Sequence, residues 1–499
     1  MSAPSPVMLD RLFTEAERCR RPWEPLWRQC FAHAAPMRGG GFGDGPDPAA
    51  DELFDGTACD AVEQLAASLL AELAPPWSRW FELVPGTDLD ESARAVLAPE
   101  LERATRVLES HFARSNLHVE LHQCLLDLVT VGTATLLFRE APLGSPSAFR
   151  FTAVPVAEMF VLGDGDGRIT RQFRRTRPTL GQLRERFPEA ELPPEFAARI
   201  EEDPERRGEL VEAVLPAGDG AFDYAAFVPA RSAGLPTAVV LARGRFARSP
   251  FLTFRWLKAA GETYGRSPVM TALPDIKTAN KVVELVLQNA SIAVTGIWLA
   301  EDDGVLNPAN IDLSPGSIIP KAPGSAGLTP LETPGRFDVS ELVLSDLRAR
   351  IRHTLLVDRL GPVDGPRMTA TEVLERSAET ARLLGAIYGR LEGELLRPLL
   401  DRAVHVLRRR GAVPDLPLDG HTLDVAFRTP LAREQARQDV RNVLLWLETV
   451  DRLGEAARPL VEVRTAVRWL AERLGVPAEF VRDGDPLAEL AAVAGEGRS

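Results

Sequence analysis

The chain has 499 residues, 45% hydrophobic and 26% charged, an ordinary globular composition long enough for roughly two to four domains. Its 58 Lys and Arg against 71 Asp and Glu leave a formal net charge of −13, the reverse of the basic surplus with which proteins grip nucleic-acid phosphates. The longest apolar runs, such as "AVTGIWLA", are too short to span a bilayer, and Asp10 and Arg11 precede any apolar core of a secretory signal, so a soluble, cytosolically made protein is expected.

Residues 9–35 read as one helix with Leu12, Ala16, Trp23, Trp27, Cys30 and Phe31 on its apolar side, bent or interrupted at Pro22 and Pro25. The flexible stretch "RGGGFGDGPDP" leads to a second helix, with Val62, Leu65, Leu69 and Leu73 at helical spacing and Pro75 and Pro76 as its stop. Two further amphipathic helices are expected at about 91–114 and 117–131. From Ala134 the period changes: residues 134–256 hold short β-rich runs, a hairpin turn at Gly163–Arg168 and one short helix near 179–187.

A long helix follows at about 267–291, started by Ser267 with Pro268 and restarted or kinked at Pro274. At ~1.5 Å per residue it is roughly 37 Å long, and Lys277, Lys281 and Glu284 lie on its polar face. Residues 292–336 return to β-runs and turns. Another helix begins near Asp338 and runs to Val357, its stripe of Val339, Leu342, Leu347, Ile351 and Leu355 facing one way and Ser345, Asp346, Arg348, Arg352 and His353 covering the remainder. A breaker loop, Asp358–Met368, separates it from the longest helical pattern, Thr369–Arg410. There Gly385, Gly389 and Gly393 fall four apart; each costs roughly 1 kcal/mol against alanine, which predicts a close neighbour along that face, and Pro398 should kink the helix. Shorter helices are expected over 430–490, with disorder after Ala491.

Chemistry is sparse. His111, His118 and His122 fall on roughly one helical face, and the last two have the spacing that chelates a metal. In "HVELH", however, Glu120 is on the wrong side of the helix for a metalloprotease and no third ligand is near in sequence; a partly exposed face is the plainer reading and a metal-dependent hydrolase the alternative. "GDGDGR" lacks the further acids of a calcium loop. Phosphate loops, dinucleotide fingerprints and nucleophile elbows do not occur. Asp302 and Asp303, beside "GVLNPAN", fit turn geometry. The four scattered cysteines fit buried thiols. No catalytic residue, metal ligand or cofactor is assigned.

Four stretches, taken with the element order, resemble the portal proteins of tailed bacteriophages, the head-to-tail connectors, in their short-tailed, T7-like branch. They are "LFDGTACDAVEQLAASLLAELAPPWSRWFEL" (Leu53–Leu83), "PFLTFRWLKAAGETYGRSPVMTALPDIKTANK" (Pro250–Lys281), "DDGVLNPANIDLSPGSIIP" (Asp302–Pro320) and "RMTATEVLER" (Arg367–Arg376). The resemblance covers about residues 18–455. It implies an α+β portal fold, with a wing at 1–266 and again along 369–411, and stem helices at 267–291 and 337–357. It further implies a clip at 292–336, a tunnel loop at 358–368 and a crown at 412–499. It implies a ring, usually of about twelve subunits, at one capsid vertex of the virion, assembled in the host cytoplasm, with double-stranded DNA passing weakly and non-specifically through its bore. The implied partners are the terminase large subunit, major capsid and scaffold proteins, and tail adaptors, with no membrane. Carried onto this sequence, Lys277, Lys281, Glu284, Arg348 and Arg352 would line the channel and Asp358, Arg359, Asp364 and Arg367 would lie in the tunnel loop. Glu301, Asp302, Asp303, Asn307 and Asn310 would form the docking edge. A structural adaptor that never touches DNA remains the other reading.

Overall fold

Pro22 and Pro25 divide the N-terminal helical pattern in two. Helix α1 (Pro6–Arg20) is capped by the Ser5 hydroxyl, which accepts from Met8 N at 3.3 Å, and α2 (Glu24–Ala34) carries Pro25 in its first turn. Proline lacks the N–H that an interior turn needs and is tolerated in the first turn, so the single helix read over 9–35 is a pair joined at residues 21–23. The structure is a computed structural model describing residues 4–41, 53–86, 88–295, 298–300, 328–330, 337–357, 385–414, 420–427, 430–453 and 461–474. It falls into two units, one of Met1–Leu69, Arg114–Val363 and Ile387–Val406, the other of Leu70–Ala113, Asp364–Ala386 and Leu407–Ser499. Helix α3 (Thr57–Leu73) begins in the first; β1 (Phe81–Pro85) and α4 (Glu91–Ala113) belong to the second.

In the first unit α5 (Leu117–Val131) ends at Gly132, whose φ of 76° supplies the left-handed stop. The chain re-enters at once as β2 (Thr133–Glu140), antiparallel to β3 (Phe149–Val154). Strands β4 (Met159–Gly163), β5 (Ile169–Thr176), β6 (Leu210–Pro216), β7 (Phe222–Val228) and β8 (Val239–Phe246) form an antiparallel meander, and β9 (Phe251–Arg255) returns to the free side of β2. The Gly163–Arg168 link is the expected hairpin turn: Asp164 Oδ1 accepts from Asp166 N at 3.1 Å and Arg168 N at 2.8 Å.

Alternation along the meander gives it two apolar faces. Phe160, Phe173, Ala213 and Phe227 lie under Leu9, Leu12, Phe13 and Ala16 of α1, with the Phe13 ring edge-on to Phe160 at 5.2 Å. Leu210, Ala226, Val228 and Leu241 turn the other way, beneath α6 (Leu180–Arg186) and α7 (Pro194–Glu202). Helix α6 was expected near 179–187 and begins with a Thr179–Gln182 capping box; α7 and the single turn α8 (Ala230–Ala233) were not read from the sequence.

Helix α9 (Pro268–Thr295) starts where expected and runs unbroken through Pro274, four residues past the expected end. Pro274 is exposed, so the carbonyl it leaves without a partner can be hydrated and no break is forced. The helix start is tied to the α5–β2 turn. Ser267 Oγ accepts from Met270 N at 2.9 Å and donates to the Thr130 carbonyl at 2.8 Å, while Gly265 N donates to Thr133 Oγ1 at 2.8 Å. Backbone meets backbone here: a Cβ on Gly265 would lie 1.9 Å from the Gly132 carbonyl oxygen. Tyr264, fully buried, accepts from Val161 N at 3.2 Å and stands edge-on to Trp27 at 5.1 Å.

Strands β10 (Trp298–Ala300) and β11 (Leu328–Pro330) pair antiparallel between α9 and α10 (Phe337–Thr354). Residues 385–391 are helical, Glu392–Leu396 form a π-helical turn in which Arg397 N reaches the Glu392 carbonyl, and the helix continues as Arg397–Arg409. The expected distortion from Pro398 thus takes the form of one widened turn ahead of it, where its missing N–H leaves the ladder short. The widened turn presents Glu394 to Arg255, whose backbone N and Nε lie 3.0 and 3.1 Å from Glu394 Oε2. The close neighbour expected along Gly385, Gly389 and Gly393 is not there among the described residues: a Cβ at each would meet nothing within 4 Å.

In the second unit β1 pairs antiparallel with β12 (Leu423–Phe427), and α4 packs on β1 through Leu101, Leu108 and Phe112, with Trp80 and Phe81 closing the aromatic cluster. Arg79 bridges Glu102 and Glu109 at 2.9 Å each. Neither strand was expected; residues 412–499 were read as a helical crown and tail. Helices Pro430–Arg452 and Val463–Leu474 fall inside the expected 430–490 set, whereas the expectation for the residues after Ala491 lies outside the described residues.

The Gly132–Gly265 contact predicts that Gly265→Ala destabilises the protein by about 3 kcal/mol in urea titration, because neither backbone can yield to a new methyl group. Gly389→Ala, whose methyl enters open space in a helix, is expected to raise stability by about 1 kcal/mol.

Candidate functional site: the α9–α10 hairpin

Helices α9 and α10 run antiparallel, as the Asp275–Arg350 ion pair at 2.9 Å and the β10–β11 pairing both require. Burial divides each helix at its middle. Among the described side chains, the buried residues Val269, Ala272, Leu273, Ile276 and Ala279 of α9 stop at 279, and Leu347 and Ile351 of α10, with Leu355 just past its end, begin only at 347. Beyond these points Leu285, Leu287, Leu342 and Val343 are exposed, Leu342 at 74%. The stripe expected on α10 is therefore half right: its C-terminal members enter the core, Leu342 does not, and the side chain of Val339 lies outside the described residues. A hairpin rooted in the body by one half and bare along the other is the result.

A clasp sits where the hairpin leaves the body. Asn280 Oδ1 accepts from Phe54 N at 2.7 Å and Asp55 N at 3.1 Å. The nearly buried Asp55 carboxylate accepts from Thr57 N at 3.0 Å and from Arg348 Nε at 2.9 Å and Nη2 at 2.8 Å. Three separate segments, the lead into α3, α9 and α10, are joined by three side chains, Asp55, Asn280 and Arg348. Burial alone would raise the Asp55 carboxyl, but the Thr57 hydrogen bonds and the Arg348 guanidinium hold it below its ordinary 3.8.

The expected lining residues are now placed. Lys277 is exposed and donates to Gln29 Oε1 at 2.7 Å; Lys281 and Glu284 pair with each other at 2.9 Å. Arg348 belongs to the clasp rather than to a free polar face, a correction that sequence spacing could not supply because its partner is 293 residues away. Arg352 is exposed and pairs with no described residue. The tunnel-loop residues Asp358, Arg359, Asp364 and Arg367, and the docking residues Glu301, Asp302, Asp303, Asn307 and Asn310, lie outside the described residues. Asp55 and Asn280 were missed; the only signal was that "LFDGT" and "TANK" both fall in stretches that carry the family resemblance.

The three histidines do not share a helix face. His111 is on α4, while His118 and His122 are on α5, and among the described residues no cluster of ligating side chains could hold a metal. Desolvation lowers the pKa of both α5 histidines. All four cysteines are free; Cys30 and Cys124 are buried, and burial pushes Cys30 up to about 12. Among the described residues no helix is long and apolar enough to cross a membrane.

The family described as bacteriophage head to tail connecting protein matches residues 8–481, and the chain belongs to that family. It is 25% identical over 503 residues to a probable portal protein of Bordetella phage BPP-1, covering 94% of this chain and 87% of that one. It is 21% identical to the portal protein of Enterobacteria phage T3, covering 80% and 74%, and 23% identical to that of Salmonella phage epsilon15, covering 82% and 74%. Among solved structures, the neck of a native gene transfer agent particle aligns with a TM-score of 0.34 at 12% identity, over 78% of this chain and 86% of that one.

Asp55→Asn keeps the shape of the clasp but removes its charge, and should cost about 1–2 kcal/mol at neutral pH. Because the folded carboxyl titrates below its unfolded value, its contribution is complete above about pH 5 and is lost as pH falls below 3.8 toward the folded pKa. Urea titrations of wild type and Asp55→Asn should therefore converge as the pH is lowered through that window.

Proposed function

We propose that this chain is a phage portal protein: copies close into a ring at one capsid vertex, and the α9–α10 hairpins stand side by side as the wall of a DNA channel. The observation that carries this reading is the division of the hairpin. Leu285, Leu287, Leu342 and Val343 are large apolar side chains left exposed on a projecting element, and such side chains are stable in water when neighbouring copies cover them. Closed cyclic symmetry lets every copy cover its neighbour with none left over.

The electrostatics suit passage rather than capture. Lys281, Arg348 and Arg350 are each paired with a carboxylate of the same chain at 2.8–2.9 Å. Lys277, bonded to the neutral Gln29, and Arg352, which pairs with no described residue, stay open to phosphate; a wall on which most of the described cations are matched displaces few counterions from DNA and so binds it weakly, which is what a sliding polyanion needs. On this reading residues 292–336 are the clip that meets the terminase large subunit during packaging and tail adaptors afterwards. Residues 358–368 are a tunnel loop that touches DNA and hinders its return. Residues 1–266 and 369–411 form the wing toward capsid and scaffold proteins, and 412–499 the crown. Assembly takes place in the host cytoplasm. No catalytic role is assigned to any residue.

End-on electron micrographs of purified protein should show closed rings, with a subunit count near twelve; a lone subunit under all assembly conditions would overturn the reading. Leu285→Asp with Leu287→Asp should leave the fold intact, since both side chains are exposed, and abolish rings in sedimentation velocity. Replacing residues 358–368 by a Gly/Ser linker should preserve rings and lower the genome retained in particles; unchanged retention removes the loop's assigned role.

A further inference from the structure

Arg139 and Arg150 stand directly opposite each other on β2 and β3. Both are exposed, and the side chain of neither makes a hydrogen bond or ion pair with a described residue. Like charges at directly paired antiparallel positions repel, and a sheet ordinarily avoids them. More positive charge lies close by. Arg174 on β5 sits beside Met159 and Glu212 in the strand register, and Arg186 closes the end of α6. These two are partly satisfied, Arg174 by Glu158 at 2.8 Å and Arg186 by Glu212 at 2.6 Å. Glu212, nearly buried, also accepts from the Tyr224 hydroxyl at 2.9 Å. Burial first, and then the charges of Arg174, Arg186 and Arg150, lower the pKa of Arg139 against the pull of Glu212. Four guanidiniums thus lie about two carboxylates, and Arg139 and Arg150 hold neither in an ion pair.

All four cations are arginine, the side chain whose planar fork suits carboxylate and phosphate oxygens. The chain itself can supply the missing anions. It carries a surplus of carboxylates, and Glu201, Glu202 and Glu205, exposed at and just beyond the end of α7, pair with no described residue. A second copy therefore brings acceptors wherever it docks, whereas a nucleic acid would have to approach a surface that is acidic as a whole.

We propose that Arg139 and Arg150 form, with Arg174 and Arg186, a docking face for exposed carboxylates of a second copy of this chain. The inference rests on the self-assembly of the proposed function and adds a contact outside the hairpin. The like-charge pair is then a cost borne by the free subunit and relieved on association, so removal should act oppositely on the two states.

The experiment is Arg139→Ala with Arg150→Ala in the full chain, read by urea denaturation of the subunit and by sedimentation across protein and salt concentrations. The subunit should be as stable as wild type or more so, while half-assembly should need about tenfold more protein and depend less on salt. Arg139→Lys with Arg150→Lys should recover part of that loss. A variant that assembles at the wild-type concentration overturns the proposal while leaving the ring intact. A destabilised subunit assigns these arginines an internal role instead, and normal rings that retain less DNA assign them to phosphate; either overturns it. Wild-type protein that forms no ring removes the proposed function and this contact together.

Discussion

The contact between Gly132 and Gly265 is the constraint on which the candidate site depends. At this point the stop of α5, the first residue of β2 and the lead into α9 occupy the space of two peptide planes, with no side chain between them. Trp256 N donates to the Gly132 carbonyl at 3.0 Å, so β9 is held to the same turn. Ser267 then spends both sides of its hydroxyl, one capping α9 and the other bonding Thr130. A long helix whose first turn is fixed in position and direction can project far from the body with little angular freedom, since an error at the root is magnified along ~1.5 Å per residue of rise.

The Asp55–Asn280–Arg348 clasp answers the next mechanical question, how two helices that leave the core are kept together. Apolar packing ends near Ala279 and Leu347, and beyond it none of the described hairpin side chains is buried. Hydrogen bonds placed at that boundary are directional where hydrophobic contact is not, so they define spacing as well as adhesion. A charged partner strengthens them, and the shielding of Asp55 from solvent limits competition by water. The partly exposed Arg348 can take up its position without the full penalty of desolvating a guanidinium.

Much of this was legible from local pattern. The strands of the meander and helices α9 and α10 announce themselves by period and by the residues at their ends, because those signals need only neighbours in sequence. What sequence hid was long-range. The five-residue strands β1 and β12 are about 340 residues apart, and neither has an alternation strong enough to separate it from a loop without its partner. Arg348 looks like part of a solvated basic face until Asp55 is placed beside it. The glycine series in the long helix shows the opposite failure: an energetic cost was read correctly, but the neighbour inferred from it is not found among the described residues.

The distribution of satisfied and unsatisfied charge separates two kinds of surface. Along the hairpin most described cations are matched within the chain, Lys281 with Glu284, Arg350 with Asp275 and Arg348 with Asp55, while Lys277 meets only the neutral Gln29 and Arg352 no described residue. On the β2–β3 face, Arg139 and Arg150 are set against each other and left open. A matched surface has little to gain from any one position of a polyanion, so its contact energy stays level as the polymer advances. An unmatched pair of arginines has much to gain from one fixed geometry, because each guanidinium fork is satisfied only when oxygens are held at its distance and plane. The first property belongs to a surface that something moves along, and the second to a surface that something stays on.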